Sequence, residues 1–259
     1  LSAAFGAQVA RRAPLHGGDL SEITGVTLTD GRRMVVKRGA QVTPEARMLR
    51  AMALAGAPVP EVLHQAGDLM CLSWLEETDP SAPGWGALGA AVARLHMCEG
   101  TQYGWPEDHA FGAVALNNAA CDDWCTFWGM QRLAPFVPEL PADLAGRLER
   151  LIHRLPDHLP RRPRPALLHG DLWVGNALFS GPRAFLIDPA CHHGHAEVDL
   201  AMLTLFGRPD AAFWAACPTE PDRAARVPVY QLFPALVHLR LFGAGYHGMV
   251  SDLLSDCGV

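Results

Sequence analysis

The sequence predicts an α+β chain in two lobes: a small β-sheet lobe with one helix over residues 1–76, and a larger, mainly helical lobe over residues 77–259. Three observations support this. Between residues 22 and 75, short runs rich in Val, Ile, Leu and Thr alternate with turn residues and surround one helical pattern. From Ala87 onward, apolar residues recur mostly at three- and four-residue spacing. Within that helical half lies one island of two apolar runs, Leu167-Leu168 and Phe185-Leu186-Ile187, each running directly into polar residues.

In the first lobe, residues 22–29 and 33–37 form the arms of a hairpin, with Asp30-Gly31 at the tight turn. Just upstream, His16-Gly17-Gly18-Asp19-Leu20-Ser21 is glycine-rich. Without Cβ atoms its amides can approach a phosphate, although paired glycines also serve as a plain turn. Lys37 closes the second strand. Thr43-Pro44-Glu45 opens a helix, with Thr43 as N-cap, Pro44 in the first turn and Ala46, Met48, Leu49, Met52 and Ala53 as its apolar stripe. Glu45 suits the positive end of that helix. Gly56 and Pro58 stop it, and residues 59–66 and 69–75 form two further strands around Gly67-Asp68. The run Leu72-Ser73-Trp74-Leu75-Glu76 is then expected to be the hinge, and residues 78–84, rich in Pro and Ser, the crossover.

The second lobe begins with an apolar helix over residues 87–97. Residues 103–118, punctuated by Gly and Pro, are too long for a simple connector and are expected to be functional. Asp122-Asp123 starts a helix carrying Trp124, Phe127, Trp128, Met130 and Leu133, whose aromatics read as core. Residues 141–159 form an amphipathic helix, and Arg161 to Pro165 a solvated linker. The last long helix starts near Pro228 and carries Val229, Leu232, Leu236, Leu239 and Phe242 on one face.

Composition narrows the functional classes. Hydrophobic residues make up 49% and charged ones 19%, ordinary for a globular protein. A net charge of −6 offers no footprint for nucleic acid or an anionic membrane. No apolar run approaches the roughly 20 residues of a membrane span, and residues 1–12 lack the basic start and apolar block of a secretion signal. Seven cysteines, an odd number without a Cys-x-x-Cys pair, point to a reducing cytoplasm rather than a disulfide framework.

The chemistry concentrates in Leu167-Leu168-His169-Gly170-Asp171-Leu172-Trp173-Val174-Gly175-Asn176, followed by Asp188. The order His-x-Asp-Leu-x-x-x-Asn matches the catalytic loop of protein kinases, with Asp188 at the place of their metal-binding aspartate. Phosphoryl transfer needs this trio: one carboxylate for the attacking hydroxyl, plus an amide and a carboxylate for magnesium. The expected fold is therefore protein-kinase-like. Asp171 is expected to accept the hydroxyl proton, and Asn176 and Asp188 to hold Mg2+. Lys37, fixed by Glu45, should reach the α- and β-phosphates of ATP, with amides around Gly17, Gly18 and Ser21 covering them and the hinge at Trp74 and Glu76 meeting the adenine. The histidines His192, His193 and His195 lie near Glu197 and Asp199. However, no pair has the spacing that puts two imidazoles on one helical face, so a transition-metal centre is not expected.

These residues, with Gly194-His195, Glu197, Asp199-Leu200-Ala201-Met202, Leu205-Phe206-Gly207, Tyr103-Gly104-Trp105-Pro106 and Leu241-Phe242-Gly243-Ala244-Gly245-Tyr246, resemble the fructosamine kinase (ketosamine-3-kinase) family along essentially the whole chain. The resemblance implies an aminoglycoside-phosphotransferase-like kinase fold. It also implies transfer of the γ-phosphate of ATP to the 3-hydroxyl of a ketosamine such as a ribulosamine or fructosamine; the product then decomposes and frees the amine, a deglycation. Trp173, His195 and Glu197 are the implied substrate contacts, Trp173 either as a wall against the sugar and its ammonium or as packing under the loop, and Glu197, like Asp199, either as a partner of that ammonium or as a helix N-terminal acid. Four positions depart from the family. Asp19 stands where some relatives carry a redox-active cysteine, His192 and His193 where tyrosines are frequent, and Ala196 where arginine is frequent. Two other functions fit the same residues: a kinase of this fold acting on an aminoglycoside or other amino alcohol, and a nucleotide-binding pseudokinase.

Overall fold

The computed structural model describes residues 1–15 and 22–259. Helix α1 (Ser2–Phe5) leads into a five-stranded antiparallel sheet in the order β1-β2-β3-β5-β4. Its strands are β1 (Val9–Pro14), β2 (Glu22–Leu28), β3 (Arg33–Arg38), β4 (Val62–Ala66) and β5 (Leu69–Ser73), and α2 (Val42–Leu54) connects β3 to β4. The hairpin turns at Gly31, and β3 is the central strand, so that Lys37 lies between Ile23 and Met70. Alternation splits the sheet into two faces. Val26, Leu28, Met34, Val36 and Cys71 form a cluster covered by the N-terminal Leu1, Phe5 and Val9. On the other side Met70 and Leu72 pack against Val42, Ala46 and Leu49 of α2.

Two boundaries differ from expectation for local reasons. Thr43 does not cap α2: the helix starts at Val42 with Gln41 at the cap position, two residues earlier, and the Thr43 hydroxyl donates instead to the Gly67 carbonyl at 3.1 Å, tying α2 to the β4–β5 turn. Helix α3 (Ala82–His96) begins ahead of residue 87 because Ser81 caps it, its Oγ accepting from the Gly84 amide at 3.2 Å, with proline in the first turn.

The long segment after α3 contains a small hairpin, β6 (His109–Phe111) and β7 (Val114–Leu116). Helix α4 (Trp124–Phe127) is capped by Asp123 and continues into a π-helical turn, Trp128–Leu133. In α5 (Ala142–His158) no side chain caps the N-terminus, yet Leu144, Leu148, Leu151 and Leu155 are all buried. A cap is worth about 1 kcal/mol, whereas each buried leucine contributes about 1.5–3 kcal/mol; packing forms this helix. The strands β8 (Ala166–Leu168) and β11 (His192–Gly194) pair antiparallel, as do β9 (Ala177–Ser180) and β10 (Arg183–Leu186). Helices α6 (Glu197–Leu205), α7 (Ala211–Ala216), α8 (Arg223–Phe242) and α9 (His247–Asp256) complete the lobe. Trp124, Phe127 and Trp128 are buried core, as their spacing indicated. Met48 and Met52 of α2 join Leu88, Val92, Leu167, Leu172 and Leu186 in one apolar cluster that spans both lobes. Among the described residues, no helix is long and apolar enough to cross a membrane.

Candidate active site

Between β8 and β9 the chain must turn sharply, and Gly170 makes this possible. Its φ is +80°, and a Cβ there would stand 2.0 Å from the Ala190 carbonyl oxygen. His169, fully buried, braces the turn: its Nδ1 accepts from the Asp171 amide at 3.2 Å, and its Nε2 meets the Ile187 carbonyl at 2.9 Å. Those two partners define a neutral ring protonated on Nε2, and burial pushes the imidazole pKa down, which keeps it neutral. A proton shuttle is not its task.

Asp171 projects from this turn. The Asn176 amide nitrogen donates to its backbone carbonyl at 2.8 Å and to its Oδ2 at 2.9 Å. Burial raises the Asp171 pKa to about 7 against the Asn176 hydrogen bond, and the charges of Asp188 and Asp199 push the same way. Asn176 thus faces Asp171 with its nitrogen, which leaves its carbonyl oxygen for another partner.

Lys37 and Glu45 are both buried, their side chains 7% and 6% exposed, and Lys37 Nζ lies 2.7 Å from Glu45 Oε2. The same Nζ donates to Asp188 Oδ1 at 2.8 Å. Burial alone would pull the ammonium pKa down; Glu45 and Asp188 outweigh it and hold the lysine protonated. Burial pushes Glu45 up to about 7 against the pull of Lys37. Asp188 has a left-handed backbone, φ +54°, a conformation aspartate tolerates better than most residues. Three charges from β3, α2 and the turn after β10 therefore converge across the cleft.

Behind the loop, Asp199 in the first turn of α6 is completely enclosed. Its two oxygens accept from the His169 amide at 2.8 Å and the Gly170 amide at 2.9 Å, and His96 Nε2 lies 2.9 Å away. Burial would raise this carboxyl, but the hydrogen bonds from His96 and the Gly170 amide hold it below the usual aspartate range.

A family model for fructosamine kinase matches residues 1–258. The chain belongs to the fructosamine kinase family. A probable ketoamine kinase of Synechocystis sp. is 31% identical over 277 aligned residues, covering 96% of this chain and 91% of that protein. The crystal structure of a protein named as a fructosamine-3-kinase, from Thermobifida fusca, superimposes with a TM-score of 0.91 at 29% identity, covering 99% of this chain and 96% of that one. A macrolide 2′-phosphotransferase type I reaches a TM-score of 0.62 at 18% identity over 99% of this chain and 94% of its own, a likeness of fold alone. The fold is thus the two-lobed kinase-like one.

Within this fructosamine kinase chain, the structure brings together Lys37, Glu45, Asp188, and separately Asp171 with Asn176. Gly17, Gly18 and Ser21 lie outside the described residues. Trp74 stands against Gly25 and under the Arg33 guanidinium, 3.9 Å from the ring centroid, and Glu76 pairs with Arg33 at the surface. Trp173 is 42% exposed and its ring lies across Gly175, where a Cβ would come within 2.3 Å. One indole face is therefore packed, while the side chain remains open to solvent.

The expected substrate contacts at His195 and Glu197 meet different partners. Both are buried. Glu197 accepts from Arg226 with both oxygens, at 2.6 and 2.7 Å, so its charge is paired with that guanidinium. His195 Nδ1 accepts from the Tyr230 hydroxyl at 2.7 Å, which in turn accepts from Trp124 Nε1 at 3.0 Å. The three neighbouring histidines diverge: His192 stacks on Phe127, His193 lies against Trp105, and His195 is held by Tyr230. His195, Glu197 and the exposed Glu220 do cluster, but the Arg226 cation already occupies Glu197. The hold of Asp199 on the His169 and Gly170 amides was not evident from its place in the sequence.

Proposed function

We propose that this chain transfers the γ-phosphate of ATP to the 3-hydroxyl of a ketosamine, a ribulosamine or fructosamine adduct of an amine, and thereby starts deglycation. Residues 1–76 would hold the nucleotide and residues 77–259 the acceptor and the catalytic turn. The observation that supports it most is Asp171, a carboxylate on a braced turn with a pKa near 7, beside an intact Lys37–Glu45–Asp188 ion cluster. A pseudokinase has no need of a tuned base.

In this mechanism Asp171 receives the proton of the attacking hydroxyl as its oxygen approaches phosphorus. Asn176 orients the carboxylate through Oδ2, and Lys37 neutralises phosphate charge. The oxygens left on Asn176 and Asp188 form a hard donor pair suited to magnesium. Magnesium bound there supplies charge neutralisation of the phosphates. Trp173 offers its solvent-facing edge to the sugar or to the ammonium of the acceptor.

Kinetics of Asp171→Asn test the base assignment. The reading expects kcat to fall by about 10²–10⁴-fold, with KM for ATP within about threefold of wild type. A loss of only about tenfold would remove Asp171 from that role.

A further inference from the structure

The long segment 103–118 is tied near its start to two elements that carry catalytic groups. At one end it extends the β8–β11 pair: the Gly104 amide donates to the His193 carbonyl at 3.0 Å and the His193 amide to the Gly104 carbonyl at 2.8 Å. β8 leads straight into the Asp171 turn. Three residues beyond Gly104, Glu107 Oε2 accepts from Arg47 Nη1 of α2 at 2.5 Å. The stretch around Glu107 is itself rigidly held. The Asn118 side chain donates to the Glu107 carbonyl at 3.0 Å, and its amide nitrogen donates to Asp108 Oδ1 at 2.8 Å. The buried Arg132 guanidinium donates to Asn118 Oδ1 and the Asn117 carbonyl, both at 2.6 Å. Glu107 therefore stands on a fixed base in the helical lobe and grips α2 two residues from Glu45.

That helix needs a grip. Glu45 touches Lys37 through Oε2, while its Oε1 is buried without a partner among the described residues, so no second hydrogen bond from them locks the side chain in place. Its aim at Lys37 is set by where α2 lies. Beside Arg47, Met48 reaches across to the helical lobe, where the Cys191 amide lies 3.2 Å from its sulfur. The apolar contact fixes the depth of α2 but is non-directional; a charged pair at the rim adds direction.

The geometry points to Arg47 and Glu107 as positioning residues for phosphoryl transfer: an inter-lobe strut by which segment 103–118 holds α2, and with it Glu45, in register with Lys37 and Asp188. This rests on the kinase reading of the site. Because the pair lies at the surface, breaking it should cost little stability, and a solvent-exposed ion pair caps the effect at a few-fold.

The test uses the full-length chain with ATP, magnesium and ribuloselysine. Glu107→Gln and Arg47→Gln are expected to lower kcat about three- to fivefold, with KM for ribuloselysine and the melting temperature nearly unchanged. Glu107→Arg should be worse, and the exchange Arg47→Glu with Glu107→Arg should recover activity to within about twofold of wild type. Amides of residues 45–52 should exchange hydrogen faster in Glu107→Gln, a readout that needs no acceptor. The strut is overturned if the single variants match wild type in kcat and in exchange, or if the charge exchange is no better than the worse single variant. If wild type transfers no phosphate to ribuloselysine, the proposed function fails instead, and the hydrogen-exchange comparison alone decides the strut.

Discussion

At Asp171 a pKa of about 7 has a directional consequence. As the proposed base, the group accepts a proton only when ionised, so on that assignment its protonation as pH falls through 7 should shut the reaction down. Below that point kcat/KM should drop about tenfold per pH unit, and above it should level off; a pH–rate profile flat from 5.5 to 8 would contradict the assignment. Gly170 is a second position where one atom decides the outcome. Adding a methyl would place it against the Ala190 carbonyl in a left-handed backbone, so Gly170→Ala should lose at least about 2 kcal/mol in a denaturant titration. Asp199 works the other way from Asp171. Its folded pKa lies below the ordinary value, so the stability it contributes is present above about pH 4 and is lost as pH falls through the folded value. Asp199→Ala leaves two buried amides and His96 without their acceptor, and should cost about 3–5 kcal/mol at neutral pH.

Among the elements, those whose signal is local were readable in the chain. The β2–β3 hairpin shows its turn at Asp30-Gly31, and the apolar stripe of α2 is a plain periodicity. The trio Asp171, Asn176 and Asp188, with Lys37 and Glu45, announces itself through residue type and spacing. Other elements give no such signal. Strand β1 is an edge strand with Arg11 and Arg12, where charge replaces alternation. The short helices α1, α7 and α9 have too few turns for a clear period. The pairs Arg226–Glu197 and Arg47–Glu107 are separated by 29 and 60 residues, and nothing local distinguishes an arginine that will find such a partner from one that stays in water. The arginine that pairs with Glu197 was hidden for the same reason, since an acid in this stretch looks free until its partner is placed.

For the whole molecule, the sheet lobe and helical lobe are not independent bodies joined by a hinge alone. The cluster from Met48 and Met52 to Leu172 and Leu186 runs through both, and the ion cluster needs side chains from each. Filling or emptying that shared core should therefore affect catalysis as well as stability. Met48→Ala is expected to destabilise by about 2–5 kcal/mol and to lower kcat at temperatures well below its melting point; an unchanged kcat there would show that α2 is placed without its core contact.

The central claim, phosphate transfer to the 3-hydroxyl of a ketosamine, is tested most directly by incubating the protein with ATP and magnesium and each of ribuloselysine, fructoselysine, an aminoglycoside and choline, then locating phosphate in the products by 31P NMR. The account predicts a phosphate ester at O3 of one or both ketosamines and none on the other alcohols. Transfer to an aminoglycoside or choline with both ketosamines untouched would contradict it.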